Sequence, residues 1–232
     1  MTGFMKDRTH LSKLSVGYLQ QCLLFTVVLI ASNIFETKQI ALGPINITGG
    51  MLTFPLCYII VKIVCEVWGY RKAIMLVWMG FVMNFLFIAA SALVDIMPGA
   101  EYWTNDEGSH AIFGLSARIT VASFIAFLCG SFLNAFIMSR RKARGEKSKL
   151  YRRYLLGAVA GEAIDSAVFF PIAFIGVLAA KEVFDQALFQ FVLKTAYEIL
   201  LLPLVILLVK TIKKVEATDV TDTDISYHVF KF

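Results

Sequence analysis

The chain is short of charge, has almost no histidine, and has no cysteine pair spaced for metal or redox work. Each shortage removes a class of function. Asp, Glu, Lys and Arg make up 17% of its 232 residues, against about 25% in an ordinary soluble domain. The histidines are His10, His110 and His228, all outside the apolar stretches. With no HExxH and no nucleophile beside a base, a membrane-embedded hydrolase has nothing to work with. Cys22, Cys57, Cys65 and Cys129 sit singly inside apolar runs, with no CxxC and no histidine close in sequence. Zinc and disulfide chemistry are set aside on that ground. A GxxxxGKS/T loop is missing too, so the chain has no such loop for ATP. The expectation is a protein that is not an enzyme and uses no cofactor or metal. No internal repeat is visible beyond helix–loop–helix alternation.

What the chain has is apolar residues, at 58% with 20 phenylalanines, and a mean hydropathy of +0.72. That excess is too large for one soluble core and fits lipid as the solvent. A hydrocarbon layer about 30 Å thick needs about 20 apolar residues per helix. Six stretches qualify: Leu14 to Phe35, Gly50 to Val67, Ala73 to Ile96, Val121 to Met138, Tyr154 to Ala180 and Ala187 to Ile212. The first is longer than a signal-peptide apolar region and meets no small-residue cleavage site, so it reads as a retained helix. The fold class is an all-α integral membrane protein with six transmembrane helices. Residues 1–13 precede the domain, 14–212 form it, and 213–232 are expected to be a flexible tail.

The net charge of +5 suggests no nucleic-acid partner, because the basic residues concentrate in one short loop. SRRKARGEKSKLYRR, from Ser139 to Arg153, holds eight basic residues against Glu146 alone, whereas the preceding loop carries Glu101, Asp106 and Glu107. Basic loops stay in the cytoplasm, and an even number of spans then puts both termini there. Lys6, Arg8 and Lys13, Arg71 and Lys72, and Lys210, Lys213 and Lys214 agree with this orientation. Asn46-Ile47-Thr48 matches a glycosylation sequon by chance.

An ionisable residue at the centre of a membrane helix costs about 2.5–3.5 kcal/mol on insertion scales. The second span nonetheless holds Lys62 and Glu66 four residues apart, and the sixth holds Lys194 and Glu198 four apart with Tyr197 between them. Pairs at that spacing share a helix face and can neutralise one another. Glu162 and Asp165, three apart in the fifth span, repel unless a cation, a ligand or a proton lies between them. Arg152 and Lys194 are the candidate cations. Asn33 and Lys38 close the first span, Asn84 lies in the third and Asn134 in the fourth. Polar groups on so many spans point to a shared interior site. The small-residue spacings Gly157–Gly161 and Gly176–Ala180 point to close helix packing.

GGMLTFPLCYIIVKIVCEVWGYRKA resembles the signature segment of the queuosine precursor transporters, also called the vitamin uptake transporter family. The resemblance rests on Phe54-Pro55 entering the span, Glu66 one turn from its end, and Trp68-Gly69-Tyr70 leaving it. SNIFETKQI, with Asn33 and Lys38, is similar to that family's first span. GEAIDSAVFFPIAFIG, with Asp165 and Phe169, is similar to its fifth, and KTAYEILLLP, with Lys194, Tyr197, Glu198 and Pro203, to its sixth. The region of Arg118 and Ser123 fits its fourth span. Two positions depart: Lys62 stands where the family usually has aspartate, and Glu162 where it usually has glutamine.

The resemblance implies a bacterial inner-membrane carrier for 7-deazaguanine bases such as 7-cyano-7-deazaguanine, aminomethyl-deazaguanine or queuine. Expected substrate-binding residues are Asn33, Lys38, Glu66, Asn134, Glu162, Asp165, Lys194 and Glu198, supported by Phe54, Pro55, Lys62 and Tyr197. Glu162 or Asp165 is expected to accept from the donor edge of the base. The carrier works alone, as a homo-oligomer, or as the substrate-binding subunit of an energy-coupling-factor transporter, whose architecture the family resembles. The reading of a different class is a non-transporting membrane assembly protein.

Overall fold

The structure, a computed structural model, describes residues 15–42, 45–144, 150–176 and 179–220. The expected segment 1–13, part of the basic loop and the last part of the tail lie outside them. Ser15 starts α1 (Val16–Phe35) by accepting a hydrogen bond from the Tyr18 amide at 3.0 Å, which satisfies one of the first-turn donors a helix leaves open. A short antiparallel hairpin follows, β1 (Gln39–Leu42) on β2 (Ile45–Thr48), with Gln39 opposite Thr48. The expectation of helices alone missed this hairpin. Its strands are four residues each, too short for an alternation of apolar and polar positions to stand out.

A 3-10 turn, Gly49–Leu52, leads into α2 (Phe54–Trp68), where Pro55 lies in the first turn. Its missing N–H costs nothing there. Gly69, with φ of 91°, makes the sharp exit into α3 (Tyr70–Asp95). α4 spans Asp106–Ala143, α5 Leu150–Phe174 and α6 Ala180–Glu216. Six helices are long and apolar enough to cross a membrane. α2 is the central one, packed against α1, α3, α4 and α6, and every residue from Phe54 to Trp68 except Leu56 is buried.

Three spans differ from the sequence reading. α4 starts at Asp106 and α6 at Ala180, well before the apolar windows begin, because helical backbone bonding continues through polar turns that hydropathy does not count. Asp106 and Glu107 in the first turn of α4, and Arg140, Arg141 and Lys142 in its last, match the polarity of the helix dipole. The expected fifth span ran to Ala180, but α5 ends at Phe174. Gly176 takes a left-handed φ of 80°, which only a residue without Cβ adopts freely. Arg118 of α4 donates to the Ile172 carbonyl at 3.2 Å and the Ile175 carbonyl at 2.6 Å, covering acceptors at that helix end.

The ends of the bundle meet. The Gly17 amide donates to Glu216 Oε1 at 3.1 Å, and the Val220 amide to the Val67 carbonyl at 3.2 Å. The start of α1 and the end of α6 therefore lie on one side, together with the basic end of α4. The tail is docked as far as Val220 rather than free from residue 213.

Candidate functional site

Two buried charge clusters are built on α2, one helical turn apart. The first surrounds Glu66 near the end of the bundle where the start of α1 meets the end of α6. Its Oε2 lies 2.9 Å from Arg153 of α5, and its Oε1 lies 2.7 Å from Lys213 of α6 and 3.7 Å from Lys142 of α4. Lys142 also donates to the Glu66 carbonyl at 2.7 Å and the Val220 carbonyl at 2.6 Å. Asp219 closes the group, 2.8 Å from Lys142 and 2.9 Å from Lys213. Partial burial alone would raise the Asp219 pKa, but those two ammonium groups outweigh it and hold the carboxyl below its ordinary value. One carboxylate thus ties three helices and the tail to α2.

The second cluster lies deeper. Lys62 of α2 donates to Glu198 of α6. Lys194, one turn earlier on α6, donates to Asp165 Oδ2 of α5 at 3.0 Å, and its ammonium stands 4.8 Å from the centre of the Phe54 ring. Glu162 is fully buried, and neither of its carboxylate oxygens has a hydrogen-bond partner among the described residues. The charges acting on it are Lys194, Glu198, Asp165 and Lys62. Glu36, just past α1, faces the same cluster through Lys194 and Asp165.

Close backbone approach makes room for this arrangement. A Cβ on Gly130 of α4 would sit 2.8 Å from the Gly161 carbonyl of α5 and would also strike the Tyr58 hydroxyl, so no larger residue fits without shifting a helix. Asn134 of α4 lies against Gly157 and Gly161 of α5. Its side-chain amide, like that of Asn33, is buried with no hydrogen-bond partner among the described residues. Buried polar atoms are nearly always paired, so these amides and the Glu162 carboxylate stand out as candidates for contact with a ligand. Phe54, Tyr58 and Phe127 form an aromatic wall, with ring centres 5.4 Å apart for Phe54–Phe127 and 4.7 Å for Tyr58–Phe127.

The cluster brings together Phe54, Lys62, Glu162, Asp165, Lys194 and Glu198. Asn134 packs on the same stretch of α5. Asn33 is buried one turn before Glu36, so the two share a helix face. Pro55 is buried at the start of α2, and Tyr197 is half-buried on α6. Lys38 does not join them; it is exposed at the start of the hairpin. Glu66 belongs to the other cluster, and Arg152, a candidate cation for the carboxylates, is exposed. The expected pairs within helices are replaced by pairs between them. Lys62 bonds Glu198 instead of Glu66, and Lys194 bonds Asp165 instead of Glu198.

Sequence reasoning passed over Glu36 and Arg153. Glu36 stood in a quoted segment, three residues after Asn33, and that spacing was the available signal. Arg153 was absorbed into the basic loop as a topology signal, yet it is 1% exposed.

A roomier groove lies elsewhere. A groove of about 580 Å³ between α5 and α6, lined by apolar residues such as Pro171, Val183 and Phe191, borders the cluster at Ala163 and Ser166, the sequence neighbours of Glu162 and Asp165. At the cluster itself the space between Glu36, Phe54, Asp165 and Lys194 is about 10 Å³. Polar specificity requires polar groups, so the charge cluster, closed in this structure, is the candidate site.

Residues 48–208 match the family described as "Putative vitamin uptake transporter". A Bacillus subtilis (strain 168) protein named "Probable queuosine precursor transporter" is 21% identical over 177 residues, covering 75% of this chain and 76% of that protein. No solved structure matches. The matched region takes in all of the deeper cluster except Asn33 and Glu36.

Proposed function

The chain belongs to the vitamin uptake transporter family, and from that premise we propose that it carries 7-deazaguanine precursors of queuosine into a bacterial cell. Its six apolar helices make it a multi-pass membrane protein, and its family is one of transporters rather than enzymes. The relative's name supplies the substrate class. The observation that supports the reading here is a set of buried acceptors without partners among the described residues, Asp165 Oδ1 and both Glu162 oxygens, in a cluster that includes Phe54 of the aromatic wall. A guanine-like edge offers an N–H and an amino group side by side, which a carboxylate accepts together, and amides read its carbonyl. Phe54 and Tyr58 offer faces to a flat ring. Lys62, Lys194 and Glu198 hold the carboxylates in place. In this reading both termini and the Glu66 cluster lie on the cytoplasmic side of the inner membrane, as the distribution of basic residues favours.

The test is uptake of labelled 7-cyano-7-deazaguanine, aminomethyl-deazaguanine and queuine by cells that lack both synthesis and their own transporter. Saturable uptake of at least one, abolished by Asp165→Asn, is expected. Correct membrane insertion with no uptake of any base would overturn the assignment.

A further inference from the structure

The deeper cluster holds more acids than bases. Glu36, Glu162, Asp165 and Glu198 are all buried carboxylates, and the lysines buried among them are Lys62 and Lys194. Each lysine is committed to one acid, Lys62 to Glu198 and Lys194 to Asp165. Two carboxylates are left over, and they differ in how they are held. Glu36 accepts hydrogen bonds from Thr48 and the Gly50 amide, whereas both oxygens of Glu162 are unpartnered among the described residues and fully buried. The cations Arg153, Lys142 and Lys213 belong to the Glu66 cluster.

A neutral base brings donors to such a site but no charge. An unpaired carboxylate away from water gains far more from a cation than from a neutral donor. We infer that the site selects a flat heterocycle bearing a protonated amine, and that Glu162 is the residue that meets the ammonium group. This deepens the proposed function and rests on it. Asp165, held in place by Lys194 and facing the aromatic wall, then takes the neutral donor edge of the ring, and Glu162 reads the substituent. The carboxylate at position 162 is thereby a specificity residue.

The experiment is binding to the purified full chain in detergent at pH 7, with three probes. They are aminomethyl-deazaguanine (an ammonium at this pH), 7-cyano-7-deazaguanine (neutral, on the same ring) and benzylamine, a ring-bearing amine with no guanine edge. The native chain is expected to bind the aminomethyl base at least roughly thirtyfold more tightly than the cyano base. In Glu162→Gln that ratio should fall toward unity, chiefly through weaker binding of the amine. The comparison on the native chain stands even if the variant does not fold. Equal binding of the two bases would overturn the charge inference and leave the transport reading intact. Tighter binding of benzylamine than of either base would keep the ammonium site but overturn the deazaguanine assignment. No binding of any probe would overturn both.

Discussion

Lys194 stands where three demands meet: it neutralises Asp165, faces Phe54, and is among the charges acting on Glu162. Replacing it by methionine keeps the volume and removes the charge, leaving Asp165 buried and alone. Breaking a buried pair in this way costs about 3–5 kcal/mol. Lys194→Met is therefore expected to lower the unfolding temperature in detergent markedly. The double change Lys194→Met with Asp165→Asn should lose less than the two single losses added together. A smaller test concerns space. A Cβ at Gly157 would collide with Asn134 Oδ1, so Gly157→Ala must displace that amide, and substrate affinity should drop by about tenfold. At this scale the sequence was half legible. Residue type and depth exposed Glu162, Asp165, Lys194 and Glu198, because charge in an apolar run is costly and conspicuous. Partnership was not legible, because spacing along one helix reports only neighbours on that helix. α2 is surrounded, so Lys62 and Glu66, four residues apart, each find partners on other helices: Glu198 of α6 for Lys62, and Arg153, Lys142 and Lys213 for Glu66.

Among the elements, α2 is the post on which the others lean, and Glu66 is its main attachment. Arg153, Lys142 and Lys213 come from α5, α4 and α6. Glu66→Gln would leave three ammonium or guanidinium groups crowded without their shared carboxylate. Loss of cooperative unfolding, or a drop of about 3 kcal/mol or more, is the expected result in a denaturation series. Asp219 makes a lesser contribution, being half exposed. Its pKa is lowered in the folded chain, so the tail contact is complete above the ordinary carboxylate value and is lost as pH falls through the lowered one. Protease access to the tail should accordingly be unchanged from mildly acidic to neutral pH. An opening near neutrality would contradict the pairing with Lys142 and Lys213. The hairpin and the break after α5 escaped the sequence reading for local reasons. The strands are too short to show a period, and the apolar run passes through Gly176 without interruption.

For the whole molecule, the number of spans and the meeting of the two ends agree with the reading of six apolar stretches. Hydropathy is the strongest signal a membrane chain carries, since lipid tolerates only segments that satisfy their own backbone. The closed site adds what hydropathy could not. About 10 Å³ between Glu36, Phe54, Asp165 and Lys194 is far less than the roughly 300 Å³ or more of a typical ligand pocket. Under the proposed function, the helices around the cluster must part and close again for a base to pass. Helices α5 and α6, which each contain a proline, Pro171 and Pro203, and border the groove, are the elements placed to do so.

Under the proposed function a deazaguanine base crosses the membrane through this chain. Counterflow tests it most directly: the purified chain alone is reconstituted into vesicles loaded with unlabelled aminomethyl-deazaguanine, and entry of the labelled base is followed with no energy source present. The account predicts transient accumulation of label that saturates with concentration and disappears in Glu162→Gln. Vesicles that hold the folded chain, bind the base and show no exchange would contradict it, and would point to a binding subunit that needs a partner to transport.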